Sequence, residues 1–456
     1  MTASASRPRP ARRALDELSL PIEASAVDRV GAGDPDWLAA DRRAAFEAFE
    51  RLPGESNLLY TPYIDLRLAQ LEGATVVSEA LVGDGRAGDL PADADADALV
   101  EIDDAGSVVV ALSKAAAAAS LRVGALRDDL DAVRDALTSP DALAADDKFA
   151  QLTRALWSDG VLVDVPAGVT LAKPIVVRWS LGAPDQARFS RTIVRLGDAA
   201  SASLVEEFVP SAGADPDAGQ SLFAGTMEVT LGAKASLGVA SLQELPANVV
   251  GFEHRTAQIG EAASLRWALA QLGGRLVRTR VDNRLVGDRS SVQQVEIVFG
   301  SDQQLFDLTS YTTHIGKDTT GDLLSKAALL EGSRTYLKGL ITIERSANGT
   351  DSFLGEFGMN LSKAARSVAI PSLEIDQPDC RRAAHSSSVG PIDETQLFYL
   401  ESRGIPPDEA RKFIVLGFLE PVVARVPLAS AQDRLRELLE AKWIAGTEGV
   451  NGEAAA

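Results

Sequence analysis

Four side chains in this sequence carry the donor atoms that soft and borderline metals prefer: Cys380, His254, His314 and His385. A single cysteine cannot form an internal disulfide, a zinc ribbon or a four-thiolate iron–sulfur site. Any cluster chemistry therefore has to be shared with a second chain. The three histidines lie far apart in sequence, and isolated histidines are ordinarily surface or core residues. His385 opens the run His385-Ser386-Ser387-Ser388, an imidazole beside three hydroxyls. Adjacency in sequence does not build a nucleophilic triad, and a turn-forming serine run is the ordinary reading. Aspartate and glutamate together number 65 and are spread throughout, so no carboxylate pair is singled out for acid–base work.

Two phosphate-binding patterns are present in form only. Gly83-Asp84-Gly85-Arg86-Ala87-Gly88 matches G-x-G-x-x-G, but Asp89, Leu90 and Pro91 then lead into an acidic, alanine-rich stretch rather than the helix that would meet a pyrophosphate. Ile315-Gly316-Lys317-Asp318-Thr319-Thr320 lacks the upstream glycine and the Lys-Ser/Thr pair of a phosphate loop. The sequence predicts neither a dinucleotide site nor an ATPase, and G-x-S-x-G is missing. The formal net charge of −20 over 456 residues supplies no basic footprint for nucleic acid. No run of about 18 apolar residues would span a membrane. The basic start, MTASASRPRPARR, is not followed by an apolar segment of the secretory kind, so the cytoplasm is the expected compartment.

The elements that must position these residues fall into three stretches. Residues 1–155 read as mixed and mostly helical: RRALDELSL, Trp37 to Leu52, the run from Ser113 to Thr138, and DDKFAQLTRALW have helical apolar spacing. ATVVSEALV reads as a short β piece, and the acidic segment 84–105 as a solvated loop. At Gly160 the texture changes. Strand-like runs such as SRTIVRL, GTMEVTL, SLRWALAQL, SVQQVEIVF and YLKGLITIE follow one another over residues 156–390 with no helix between them. Glycines recur at 260, 274, 287, 300, 316 and 332, and hairpin dipeptides are nearly missing. A β-solenoid fits this better than a sandwich, because each rung buries its face against its neighbours.

Residues 391–456 return to helix. Asp393 with Gln396 suits a capping box, Gly404 a C-terminal cap, and Pro406-Pro407 the opening of the next helix. Pro421 predicts a kink, and Gly446 an end to the last helix. The segment ARKFIVLGFLEPVVARV is apolar around more of its circumference than one core face requires. Phe398, Tyr399, Phe413 and Phe418 are therefore candidates for a partner-binding surface.

The stretch AAHSSSVGPIDETQLFYLESRGIPPDEARKFIVLGFLEPVVARVP, residues 383–427, resembles the signature of the SufB/SufD family of iron–sulfur cluster assembly proteins. Residues 147–177 and 323–353 are similar to the same family, so the resemblance covers roughly 147 to 430. It implies a right-handed parallel β-helix core flanked by N- and C-terminal helical domains. It implies a non-catalytic scaffold that pairs with a SufB-type subunit and docks a SufC-type ATPase on its C-terminal helices. It also implies a nascent iron–sulfur cluster shared with the partner, none being bound stably by the isolated chain. SufB-type chains carry Glu after the motif histidine and a cysteine in the late core. Here Ser386 follows His385 and the late core has no cysteine, which favours SufD. Ala383 stands where some SufD chains have Cys-x-His, and Cys380 is off that register. His385 remains the matching candidate for an iron ligand at the interface with the partner. A SufB-like homodimer, formed by the chain in isolation, is the alternative, and a β-helix polysaccharide lyase a more distant one.

Overall fold

The computed structural model describes residues 14–78, 82–83 and 88–453. Most of the G-x-G-x-x-G stretch lies outside them. Sixteen strands between Asp159 and Pro391 alternate between two sheets, and within each sheet successive strands pair in parallel. This is a parallel β-helix of eight rungs, as the strand series predicts. A rung consists of one strand in the first sheet and the next in the second. Rung 1 is Asp159–Val165 with Ile175–Leu181, and rung 8 is Arg366–Ile375 with Arg382–Pro391.

The glycine spacing is half of the structural repeat. Leu276 aligns with Leu305, and Leu305 with Arg334, 29 residues on each time. Gly260, Gly287 and Gly316 stack at one corner. A Cβ on Gly287 would lie 2.3 Å from the Gly260 carbonyl carbon, and one on Gly316 would lie 2.5 Å from that of Gly287. Only glycine allows the backbones to approach so closely. Beside this column runs a second one in left-handed conformation: Gly168, Ala199, Lys234, Ala262, Arg289, Asp318 and Gly349, with φ between 54° and 77°. Each of these N–H groups donates to a carbonyl one rung on, at 2.7–2.8 Å. The five non-glycine members accept backbone strain of about 1–2 kcal/mol each. In return, the corner satisfies its polar backbone along the whole stack. The phosphate-loop-like stretch at 315–320 is one of these corners.

Alternation along each strand sends every second side chain into the core. Leu204, Val239, Trp267, Gln294, Leu323 and Leu354 form one inward column by register. The outer faces are covered by helices at both termini. The N-terminal helices are α1 (Ala24–Val30), α2 (Asp36–Arg51), α3 (Lys114–Ala118), α4 (Leu130–Thr138) and α5 (Lys148–Leu156). Residues of α1, α2, α4 and α5 bury Phe189, Ile193, Leu222, Val250, Phe252 and Leu276 on the outside of the first sheet. The C-terminal helices are α6 (Glu394–Ser402), α7 (Pro407–Val423) and α8 (Ala429–Glu453). Val415, Leu419, Val422, Leu435 and Trp443 of α7 and α8 pack on Ala240, Ala268, Ile297 and Phe299 outside the second sheet. No described helix is long and apolar enough to cross a membrane.

Several local expectations are corrected. The run from Ser113 to Thr138 is not one helix: strand Arg122–Ala125 interrupts it and pairs antiparallel with Asp159–Val165. The described part of RRALDELSL is non-helical. The acidic segment ends in strand Ala98–Ile102, which pairs with Ile175–Leu181 and buries Ala98, Val100 and Ile102. The serine run is mid-strand rather than a turn. Helix α8 passes through Gly446, and Pro421 falls in the last turn of α7.

Candidate functional site

His385 sits in strand Arg382–Pro391, the last of the second sheet. It aligns with Leu354, and Ser387 aligns with Glu356. Leu354 and Glu356 are buried inward residues, so the pleat turns His385 and Ser387 to the mouth of the core. Strand Arg366–Ile375 ends the first sheet in the same way. Each of these two strands has a neighbour on one side only. Most residues of Arg382–Pro391 are exposed and none in either strand is fully buried, whereas earlier strands are buried almost throughout. The open end is therefore a pair of unpaired parallel edges around a core mouth, an arrangement that folded proteins leave bare chiefly where another chain completes it.

His385 makes no hydrogen bond or ion pair with any described residue. The other two histidines differ. His254 lies outside the first sheet, 4% exposed, with Nε2 2.8 Å from Asp282 Oδ2. His314 lies inside the core, with Nδ1 2.8 Å from Thr319 Oγ1 and Nε2 3.0 Å from Ser352 Oγ. Burial pushes its imidazole down to about 4. The fold does not bring the three together. Cys380 is half-buried at the corner between the last two strands, packed against the cluster of Leu323, Ile341, Ile343, Ala347 and Leu354. Among the described residues, no group of three or more His, Cys, Asp and Glu is arranged to hold a metal ion.

Sequence reasoning missed an acidic residue of the inward column, one strand below the mouth. Glu356 is 2% exposed, and burial pushes its carboxyl up to about 9. The signal was a repeat near 30 residues. Glu206, Ser241, Leu269, Glu296, Ser325, Glu356 and Ser387 occupy one inward column of the second sheet.

At the C-terminal helices, Phe398 (71%), Tyr399 (55%) and Phe413 (60%) are exposed. Phe418 is different: half-buried, it packs toward the second sheet with the Lys326 ammonium 4.5 Å from its ring centre.

Small interior cavities, such as the one lined by Trp179, Ser190, Glu253 and Arg255, hold about 10 Å³, room for one water. The described surface thus combines a closed core, a bare strand edge and an exposed aromatic patch on the C-terminal helices. The family described as SUF system FeS cluster assembly, SufBD core domain, matches residues 179–418, and the chain belongs to it. It is 28% identical over 319 residues to the iron–sulfur cluster assembly protein SufD of Bacillus subtilis, covering 70% of this chain and 72% of that one. It is 28% identical over 312 residues to a SufBD family protein of Staphylococcus epidermidis, covering 68% and 66%. A Staphylococcus haemolyticus member is 28% identical over 293 residues, covering 64% and 62%.

Proposed function

We propose that this chain is a non-catalytic, SufD-like scaffold subunit of a cytoplasmic iron–sulfur cluster assembly complex. Its open end pairs with a SufB-type subunit, and its exposed C-terminal aromatics dock a SufC-type ATPase. The nascent cluster is held between the chains, with His385 as this chain's iron ligand. The observation that carries the reading is the bare eighth rung with an unpartnered imidazole at its mouth. A neutral imidazole gives iron one nitrogen, while thiolates have to come from elsewhere, because the lone Cys380 is packed into a corner.

The test is anaerobic reconstitution with iron and sulfide, read by visible absorbance. The isolated chain is expected to hold no cluster. His385→Ala is expected to leave complex formation intact and to lower cluster yield sharply. Full yield from that variant would remove His385 from the site, and a cluster on the isolated chain would overturn the shared site. A stable homodimer that persists when a SufB-type chain is added would favour the homodimeric alternative. Joint substitution of Phe398, Tyr399 and Phe413 by alanine tests the ATPase surface; ATPase binding that survives it would refute that assignment. Truncation of α6–α8 is a poorer test, since it would uncover the apolar outside of the second sheet.

A further inference from the structure

The inward column of the second sheet repeats one pairing three times. A glutamate sits below a serine on the next rung: Glu206 with Ser241, Glu296 with Ser325, and Glu356 with Ser387. The first two are satisfied within the core. Ser241 Oγ donates to Glu206 Oε2 at 3.0 Å, and Arg255 Nη2 donates to the same oxygen at 2.6 Å. Ser325 Oγ donates to Glu296 at 2.6 Å and Gln294 Nε2 at 3.2 Å. The third pair is left incomplete. Among the described residues, the hydrogen bond to Glu356 comes from the Ile370 backbone N–H, at 3.0 Å, and no cation pairs with it.

Room for this carboxyl is built in. It faces Gly339, where a Cβ would lie 2.7 Å from Glu356 Oε1. Glu356 is also one strand below His385 and two residues along, on the same inward face. That diagonal sets their Cα atoms about 8 Å apart, a span that the two side chains close through one shared ion.

We propose that Glu356 is a second iron-binding residue of this chain, forming with His385 a nitrogen–oxygen half-site for ferrous iron at the mouth of the β-helix. This rests on the reading of His385 given above. Imidazole with a carboxyl oxygen suits ferrous iron, and binding of the metal would displace the carboxyl proton. With only two donors here, the remaining ligands come from water or from the partner. On this assignment the chain presents the metal and the partner the sulfur.

The experiment is anaerobic equilibrium dialysis of Fe(II) against the full chain, comparing wild type with Glu356→Gln, His385→Ala and Glu296→Gln. Glutamine keeps an acceptor for the Ile370 N–H, so thermal melting serves as the check on folding. The expected result is that Glu356→Gln and His385→Ala each weaken Fe(II) binding at least tenfold. Glu296→Gln, in the satisfied pair below, should bind as wild type does. Wild-type affinity in Glu356→Gln, with weakened binding in His385→Ala, would overturn the role of Glu356 alone. Unchanged binding in both variants, or no Fe(II) bound by wild type, would overturn the half-site together with His385. Equal weakening by Glu296→Gln would assign the effect to core packing and also overturn it.

Discussion

At the first rung, strand Asp159–Val165 lies between Arg122–Ala125 and Gln186–Leu196, and Ile175–Leu181 lies between Ala98–Ile102 and Ser201–Pro210. At the eighth rung, each strand has one neighbour, and neither outer face is closed over. A stacked-repeat protein needs a polar or covered cap at each end to remain soluble and unpolymerised. Here the chain seals the beginning with its own residues and leaves the other end open. Buried charge is also held differently along the stack: Arg255, in the fourth rung, serves both Glu206 and Glu253, at 2.6 Å each, while Glu356, in the seventh, has one backbone N–H.

That contrast is broken most severely from within. Arg255→Ala strands Glu206 and Glu253 in a closed core and is expected to cost about 3–5 kcal/mol, read as a shift in the denaturant midpoint. Arg382→Ala, at the open end, removes an exposed pair with Asp351 and a guanidinium contact over the Phe353 ring, and should cost about 1 kcal/mol. Equal costs would mean that the closed core and the open end do not differ in the way their charges are held.

Titration sharpens the comparison next. His314 has a folded pKa near 4, below its unfolded value, so the unfolded chain binds the proton first. Stability is expected to fall by about 3 kcal/mol as pH drops from 6.5 to 4, and substitution of His314 by glutamine should flatten that slope. Glu356 acts in the opposite sense. Its folded carboxyl keeps its proton up to about 9, so stability is lost as pH rises from the ordinary glutamate range toward 9. Glu356→Gln should therefore be more stable than wild type at pH 8, by on the order of 1–3 kcal/mol, and indistinguishable at pH 4.5. A constant difference across pH would contradict the neutral-acid assignment.

The smallest expected effect on stability is at the edge itself. Val389 is 40% exposed on the terminal strand. Val389→Lys should change the unfolding free energy of the isolated chain by less than about 0.5 kcal/mol. Affinity for the SufB-type partner, measured by calorimetry, should nevertheless fall at least tenfold, because a lysine blunts a strand edge. Undiminished affinity would place the pairing surface elsewhere.

Much of this was legible in the sequence where local chemistry and tertiary demand agree. Glycine punctuation marked the corners because backbones touch there. Helices α2, α5, α6 and α7 followed from apolar spacing and, for α6, from the cap Asp393, whose carboxylate accepts the Thr395 N–H. Arg122–Ala125 was hidden because its neighbours are strong helix formers, and only the unpaired edge of Asp159–Val165 makes a strand of it. Val100 and Ile102 were hidden by the aspartates around them. The site was legible only in part. His385 drew notice through the family motif, but nothing near it in sequence points to Glu356. A glutamate 31 residues before a serine becomes a pair only when the register of the rungs is known.

The rungs stack through neighbours roughly thirty residues away, and this gives the molecule a direction in time. A chain made from its N-terminus can complete the sealed end and add each rung as it emerges, every new strand finding its template already in place. The open edge is by the same logic the last part of the β-helix to exist. An unfinished chain therefore ends on a rung without His385, and on the pairing proposed above only a chain translated past Pro391 carries the surface that joins the partner.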